Sequence, residues 1–99
     1  MNIEILEHAE MDLLEGWNFY ERNGEGLGDY FLDSLSADIE SLRHYGGIHR
    51  KIGRYHRSLA RTFPYAIYYT IEADSVMIWA VLDCRRNPVW IRRQLRSRK

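Results

Sequence analysis

"TFPYAIYYTIEADSVMIWAVLDCRRNPVW", residues 62–90, decides the fold. Residues 62–72 are rich in aromatic and β-branched side chains, which suit a pleated, half-buried surface. "ADS" (73–75) reads as a tight turn, and "VMIWAVLD" (76–83) as a second strand, so the two runs predict a hairpin. Pro64 falls near the start of its strand, where a missing donor is tolerated. Alternation puts Phe63, Tyr65, Ile67, Tyr69 and Ile71 on one face, and Pro64, Ala66, Tyr68, Thr70 and Glu72 on the other. The first set predicts core, and the second a more open face rimmed by arginines. The second run then ends in Asp83, Cys84, Arg85 and Arg86. Those paired guanidinium groups are either a solvated strand end or a working edge. After Pro88, "VWIRRQLRSRK" (89–99) predicts a short C-terminal helix or tail.

Upstream of the hairpin, "KIGRYHRSL" (51–59) reads as one strand with basic outer positions. The first half changes period. "NIEIL" (2–6) alternates as a strand, and then Ala9, Leu13, Trp17 and Tyr20 recur at helical spacing, with Glu10, Asp12, Glu15 and Glu21 facing elsewhere. "NGEGLG" (23–28) stops that helix, because Asn and Gly tolerate the left-handed conformation at a helix end. A second helix follows over 27–45, with Phe31, Leu35, Ile39 and Leu42 as its apolar stripe and "GG" (46–47) ending it. The order is β-α-α-β-β-β. It predicts one α+β domain over residues 1–99, a helical hairpin packed on a twisted antiparallel sheet. Trp17, Leu35, Ile39, Ile67, Tyr69 and Ile78 are the expected core.

The composition is that of a globular chain, 45% hydrophobic and 13% aromatic. No apolar run approaches the ~20 residues that cross a bilayer, and the N-terminus lacks the pattern of a signal peptide. With one cysteine there is no internal disulfide, and the expected compartment is the cytoplasm. The formal net charge of zero hides an asymmetry. Residues 1–40 carry eleven acids and one base, Arg22; residues 41–99 carry three acids and thirteen bases. Twelve of the fourteen bases are arginine, whose planar fork suits carboxylate and phosphate. Either the halves neutralise each other internally, or the basic half meets an anionic partner.

The run "YHRSLARTFPYAIYYTIEADSVMIWAVLDCRRNPVW" (55–90) resembles the RelE/ParE superfamily of bacterial type II toxins, its ParE-like branch most of all. The upstream stretch "AEMDLLEGWNFYERNGEGLGDYFLDSL" (9–35) is similar to the same family's helical half. The resemblance implies a plasmid-stabilising toxin held inactive by a cognate antitoxin. Its target would be DNA gyrase for a ParE-like member, or messenger RNA in the ribosome for a RelE-like one. Metal-free RNA cleavage needs a base, a phosphate clamp and an acid. Aligned on "FPYAIYY", Ala66 stands where RelE-type enzymes are expected to carry an arginine. No tyrosine follows Asn87, where such enzymes would carry one. The expected mechanism is therefore binding, with ribonuclease activity or an inactive antitoxin-binding relative as alternatives.

Were the chain a ribonuclease, its candidates would be His56, Arg57, Arg61, Arg85 and Arg86. His56 is otherwise a solvated strand residue. The partner-binding candidates are Arg54, Arg57, Arg61, Tyr68, Arg85, Arg86 and Trp90. Cys84 beside two arginines is either a reactive thiol or ordinary packing. Tyr65, Tyr68 and Tyr69 either stack bases or fill core and sheet surface. His44, His49 and His56 fit no standard metal-site spacing, so neither metal nor cofactor is expected.

Overall fold

The structure is a computed structural model and describes residues 1–98; Lys99, the end of the predicted tail, lies outside them. The elements run β1 (Asn2–Ile5), α1 (Glu7–Asn23), α2 (Leu27–Tyr45), a 3₁₀ turn (Gly46–Ile48), β2 (Lys51–Ile52), β3 (Tyr55–Leu59), β4 (Tyr65–Glu72), β5 (Ser75–Asp83) and α3 (Pro88–Ser97). The sheet order is β1-β5-β4-β3-β2. The α+β fold class holds, and the strands β2 to β5 are antiparallel as expected. β1 lies parallel to β5, so the sheet is mixed. A strand that leaves through a helical hairpin and meets the last strand at the edge has no tight turn to force it antiparallel.

The expected strand over 51–59 is a small hairpin instead. Ile52 pairs with Tyr55 around Gly53 and Arg54, and Gly53 sits at φ +62. Glycine first in a two-residue loop, with positive φ, suits the twist of a hairpin. A basic, weakly apolar stretch hides such a turn from a period-2 reading.

α1 and α2 form the predicted helical hairpin, with Phe31, Leu35, Ile39 and Leu42 fully or almost fully buried. On α1 the buried set is Ala9, Asp12, Leu13 and Gly16. Gly16 is there because α2 comes close: a Cβ would lie 2.4 Å from the Phe31 ring. Trp17 is only half-buried, outside the expected core, and its Nε1 donates to Asp29 Oδ1 at 2.9 Å across the hairpin. Glu21 does not face away. Its carboxylate accepts the N–H groups of Gly26 (3.2 Å) and Gly28 (3.0 Å), donors at the start of α2 that need a partner.

The sheet face under these helices carries Tyr65, Ile67 and Tyr69 from β4, as the alternation requires. β5 breaks alternation. Tyr68 pairs with Ala80 and Tyr69 with Ile78, leaving Trp79 as the extra residue of a bulge. Val76, Ile78 and Val81 therefore all face α1 and α2, while Ala80 and Leu82 face the other way. That other face is not open. α3 covers it, and Leu95, Trp90 and Ile91 pack on Tyr55, Ala66, Tyr68, Ala80 and Leu82. Tyr55 also donates its hydroxyl to the Leu95 carbonyl at 3.0 Å.

β1 ends early, its last ladder contact being Leu6 N–H to the Ile78 carbonyl at 3.0 Å. Beyond it the outer edge of β5 meets side chains. Asp12, expected to face solvent, is 8% exposed and accepts the Val81 N–H at 2.9 Å. Arg98, 7% exposed, donates to the Trp79 carbonyl at 3.2 Å and forms a bidentate pair with Asp12, with Nη2 to Oδ1 at 2.9 Å. The last described residue thus ties α3 to α1 through the sheet edge.

Three outcomes follow from this packing. Leu35→Ala, at a fully buried site, costs about 2–5 kcal/mol in urea unfolding, the range for core truncation. A loss under ~0.5 kcal/mol would show the site is not packed. Asp12→Ala costs about 3–5 kcal/mol, because it strands a buried guanidinium and orphans a strand N–H. The Asp12→Ala, Arg98→Met double variant is the more stable of the two, since no charge is left alone; a double variant weaker still would show that the pair is not the cause. The third concerns His49, which joins α2 to the sheet. Its ring bonds the Tyr69 hydroxyl at 2.8 Å and Ser58 Oγ at 3.3 Å, and burial, then the nearby His56, lowers its pKa below the ordinary 6.5. The folded state prefers the neutral ring, so this stability is intact above about pH 6.5 and lost as pH falls through the lowered value. Thermal melts at pH 7 and pH 5.5 should differ in wild type and differ less in His49→Gln; an equal slope in both would exclude His49 as the source.

Candidate functional site

The β5-to-α3 corner is built by the residues that open the question of function. Asp83 closes the strand, and the chain turns with Cys84 N–H on the Pro64 carbonyl (2.8 Å) and Arg86 N–H on the Asp83 carbonyl (3.2 Å). Asn87 then caps α3, its side chain accepting the Val89 N–H at 2.8 Å, with Pro88 at the first helical position. The strand ends at Asp83 and a helix follows Pro88, where the sequence expects a short helix or tail.

The two arginines have different surroundings. Arg85 folds back on Asp83, with Nε to Oδ1 at 2.9 Å and Nη2 to Oδ2 at 2.7 Å, and reaches the Tyr20 hydroxyl at 3.4 Å. Burial works to raise the Asp83 pKa, but the Arg85 hydrogen bonds prevail and lower it; the same contacts raise that of Arg85. Arg86 instead lies over Trp90, its guanidinium carbon 3.8 Å from the ring centroid. Arg86 and Trp90 line a cleft of about 460 Å³ together with Glu15, Arg22 and Asp83. Burial and the neighbouring Asp83 push the Tyr65 hydroxyl, also on this cleft, up to about 12, so it stays protonated. Arg22 and Glu15 are the members the sequence did not suggest, because only the packing of α1 on β5 brings them here.

Arg57 and Tyr68 form a second group under α3. Arg57 Nε donates to the Tyr68 hydroxyl at 3.2 Å, and Nη2 lies 3.6 Å from Cys84 Sγ. Tyr68 is 3% exposed, so its ring offers no surface to a partner while α3 is docked. His56 lies on the opposite face. It stacks on Tyr69 with centroids 5.1 Å apart, and its Nδ1 contacts the His49 carbonyl at 2.8 Å. Adjacent residues of a strand point to opposite sides, so the sheet separates His56 from Arg57. Arg61 is exposed beyond β3, its N–H bonded to Asp38 Oδ2 at 3.1 Å. Arg54 covers Tyr55 and Trp79, its guanidinium carbon about 5 Å from each ring centroid: 5.0 Å and 4.9 Å.

The candidates therefore do not converge on one acid–base site. Arg54 and Arg86 stand beside α3, Arg85 lies on Asp83 and Tyr20, Arg61 lies by Asp38 of α2, and His56 is on the opposite face of the sheet from Arg57. Cys84 belongs to packing: it is half-buried and packs against the apolar cluster under α3. Among the described residues, no three His, Cys, Asp or Glu side chains are grouped as a metal would require.

Sequence and structure comparisons agree with this architecture. Residues 3–88 match the family model described as "ParE toxin of type II toxin-antitoxin system, parDE". No curated protein sequence matches the chain. Among solved structures, one described as the chromosomal ParDE TA system from P. aeruginosa is similar in fold. Its TM-score is 0.74 at 10% identity, covering 82% of this chain and 92% of that one. With its β-α-α-β-β-β-β-α order and a family match spanning nearly all of it, the chain belongs to the ParE toxin family of type II toxin–antitoxin systems.

Proposed function

We propose that this chain is a toxin that acts by binding, with DNA gyrase as its target, and that a cognate antitoxin neutralises it. The module would stabilise a plasmid or chromosomal segment in a bacterial cytoplasm. The observation that carries the binding reading is the division of the candidate catalytic residues by the sheet. His56 faces α2 and Arg57 faces α3, so the one titratable ring among the candidates is not placed beside the guanidinium groups. Ala66, at the position where a ribonuclease of this superfamily is expected to clamp phosphate, is 0% exposed beneath α3. Arginines that remain charged hold anions well but do not readily give up a proton.

The antitoxin reading is supported by the family and by unspent charge. Of the basic residues in 41–99, Arg43, Arg85 and Arg98 have carboxylate partners. Arg54, Arg57, Arg61, Arg86, Arg92, Arg93 and Arg96 have no ion pair among the described residues. Internal neutralisation of the two halves is thus slight, which favours an external acidic partner.

The test adds purified chain to gyrase with relaxed plasmid, and separately to translating ribosomes. Expected is loss of supercoiling with intact messenger. Codon-positioned messenger cleavage that disappears in Arg57→Ala would overturn the binding mechanism in favour of ribonuclease chemistry. A general acid or an electrostatic clamp is each worth roughly 10²–10⁴ in rate, so true catalysis would collapse measurably. No effect in either assay would identify an inactive, antitoxin-binding relative.

A further inference from the structure

The β2–β3 hairpin and α3 enclose a groove of about 460 Å³ that the corner at Arg85 and Arg86 does not share. Its apolar lining is Tyr55 and Leu95, both buried, and Ile52, which is 47% exposed. Arg54, Arg92 and Arg96 line it as well. The bond from the Tyr55 hydroxyl to the Leu95 carbonyl fixes the two walls to each other. Gly53, in its positive-φ turn, sets where the hairpin ends and so where Arg54 stands. We infer that this groove takes an acidic, amphipathic peptide segment of the partner protein, with an apolar side chain against Ile52, Tyr55 and Leu95 and flanking carboxylates on Arg54, Arg92 and Arg96. The inference rests on the antitoxin reading above and names the surface and the chemistry of that contact.

Charge complementarity carries the choice of occupant. α3 has no acidic residue, and Arg92 and Arg96 stand one turn apart on it. Like charges at that spacing disfavour a helix, and no carboxylate among the described residues relieves them. Arg54 likewise has no ion pair among the described residues, and its guanidinium lies over Tyr55 and Trp79. Three guanidinium groups around an apolar strip are complementary to carboxylates around an apolar side chain. β2 adds a free strand edge beside the groove. Nucleic acid fits less well. Base stacking needs an open ring, whereas Tyr55 is 3% exposed and Arg54 already covers it and Trp79.

The experiment titrates the full chain, by fluorescence anisotropy, against three labelled probes. They are a synthetic peptide with leucines at helical spacing flanked by glutamates, a scrambled peptide of the same composition, and single-stranded oligouridylate. The amphipathic peptide should bind saturably, at least tenfold more tightly than the other two. Arg92→Glu with Arg96→Glu should weaken it by roughly a hundredfold, as loss of two charge-assisted contacts implies, and Ile52→Glu by about tenfold. Asp33→Asn, an exposed charge on α2 away from the groove, should leave it within about twofold. All the substituted residues are exposed, and unchanged melting curves would show that the fold is intact. Peptide binding indifferent to the Arg92 and Arg96 reversal would overturn the proposal. So would oligouridylate binding more tightly and failing in the same variants. The protein encoded beside this gene separates the two readings. If it binds wild type and the reversed variant equally, the groove assignment falls and the antitoxin reading stands. If it does not bind wild type while the peptide passes every test, the groove stands and its owner is another acidic partner.

Discussion

The outer edge of β5 is the constraint on which the two layers depend. A central strand needs partners on both sides, and β1 supplies only four residues of pairing before the chain turns into α1. Past Ile78 the strand's polar groups would be buried and unmatched, at a cost comparable to lost hydrogen bonds. Asp12 and Arg98 resolve this together, one accepting the Val81 N–H and the other donating to the Trp79 carbonyl. Each charge neutralises the other in a place where neither would be tolerated alone. One bidentate contact therefore completes a sheet edge, fixes the register of α1, and holds the end of α3 against the far side.

The bulge at Trp79 makes that contact possible. It shifts the alternation of β5 so that Val81 joins Val76 and Ile78 under the helices, while Ala80 and Leu82 turn to α3. A sheet with one apolar face would have needed only the helical hairpin. This one has two, and α3 covers the second with Leu95, Ile91 and Trp90. The arginines of α3 are consequently displayed outward around a small apolar groove, and not dispersed along a loose tail. Among the described residues, Arg43 with Glu40 and Arg98 with Asp12 are the ion pairs that join a base of the second half to an acid of the first.

Much of the fold was legible in residues whose role is local. The β4–β5 hairpin, the α2 stripe of Phe31, Leu35, Ile39 and Leu42, the glycine-rich stop and the short helix after Pro88 each depend on neighbours in sequence. The misplaced residues depend on distant ones. Trp17 fitted a helical stripe, yet it lies at the margin of the hairpin, since Gly16 takes the place where α2 approaches most closely. The candidate site was legible as composition, in arginines clustered after β5. Its geometry was not. Glu15 and Arg22 of α1 join Arg86 and Trp90 at one cleft only because α1 packs on β5.

By itself the sequence determined the order of the main elements apart from the β2–β3 hairpin, the apolar face of β4, and the division of charge between the halves. These follow from period, propensity and count, which need no partner. Asp12 read as one of the acids facing away from the apolar stripe of α1, and only its distant partners reveal its buried place. The tertiary structure decided the parallel pairing of β1, the bulge, the burial of Asp12 against Arg98 across 86 positions, and which arginines have ion pairs among the described residues. Each of those is a matter of what the packed chain places beside a group. A buried polar atom must find its match wherever the fold happens to bring one.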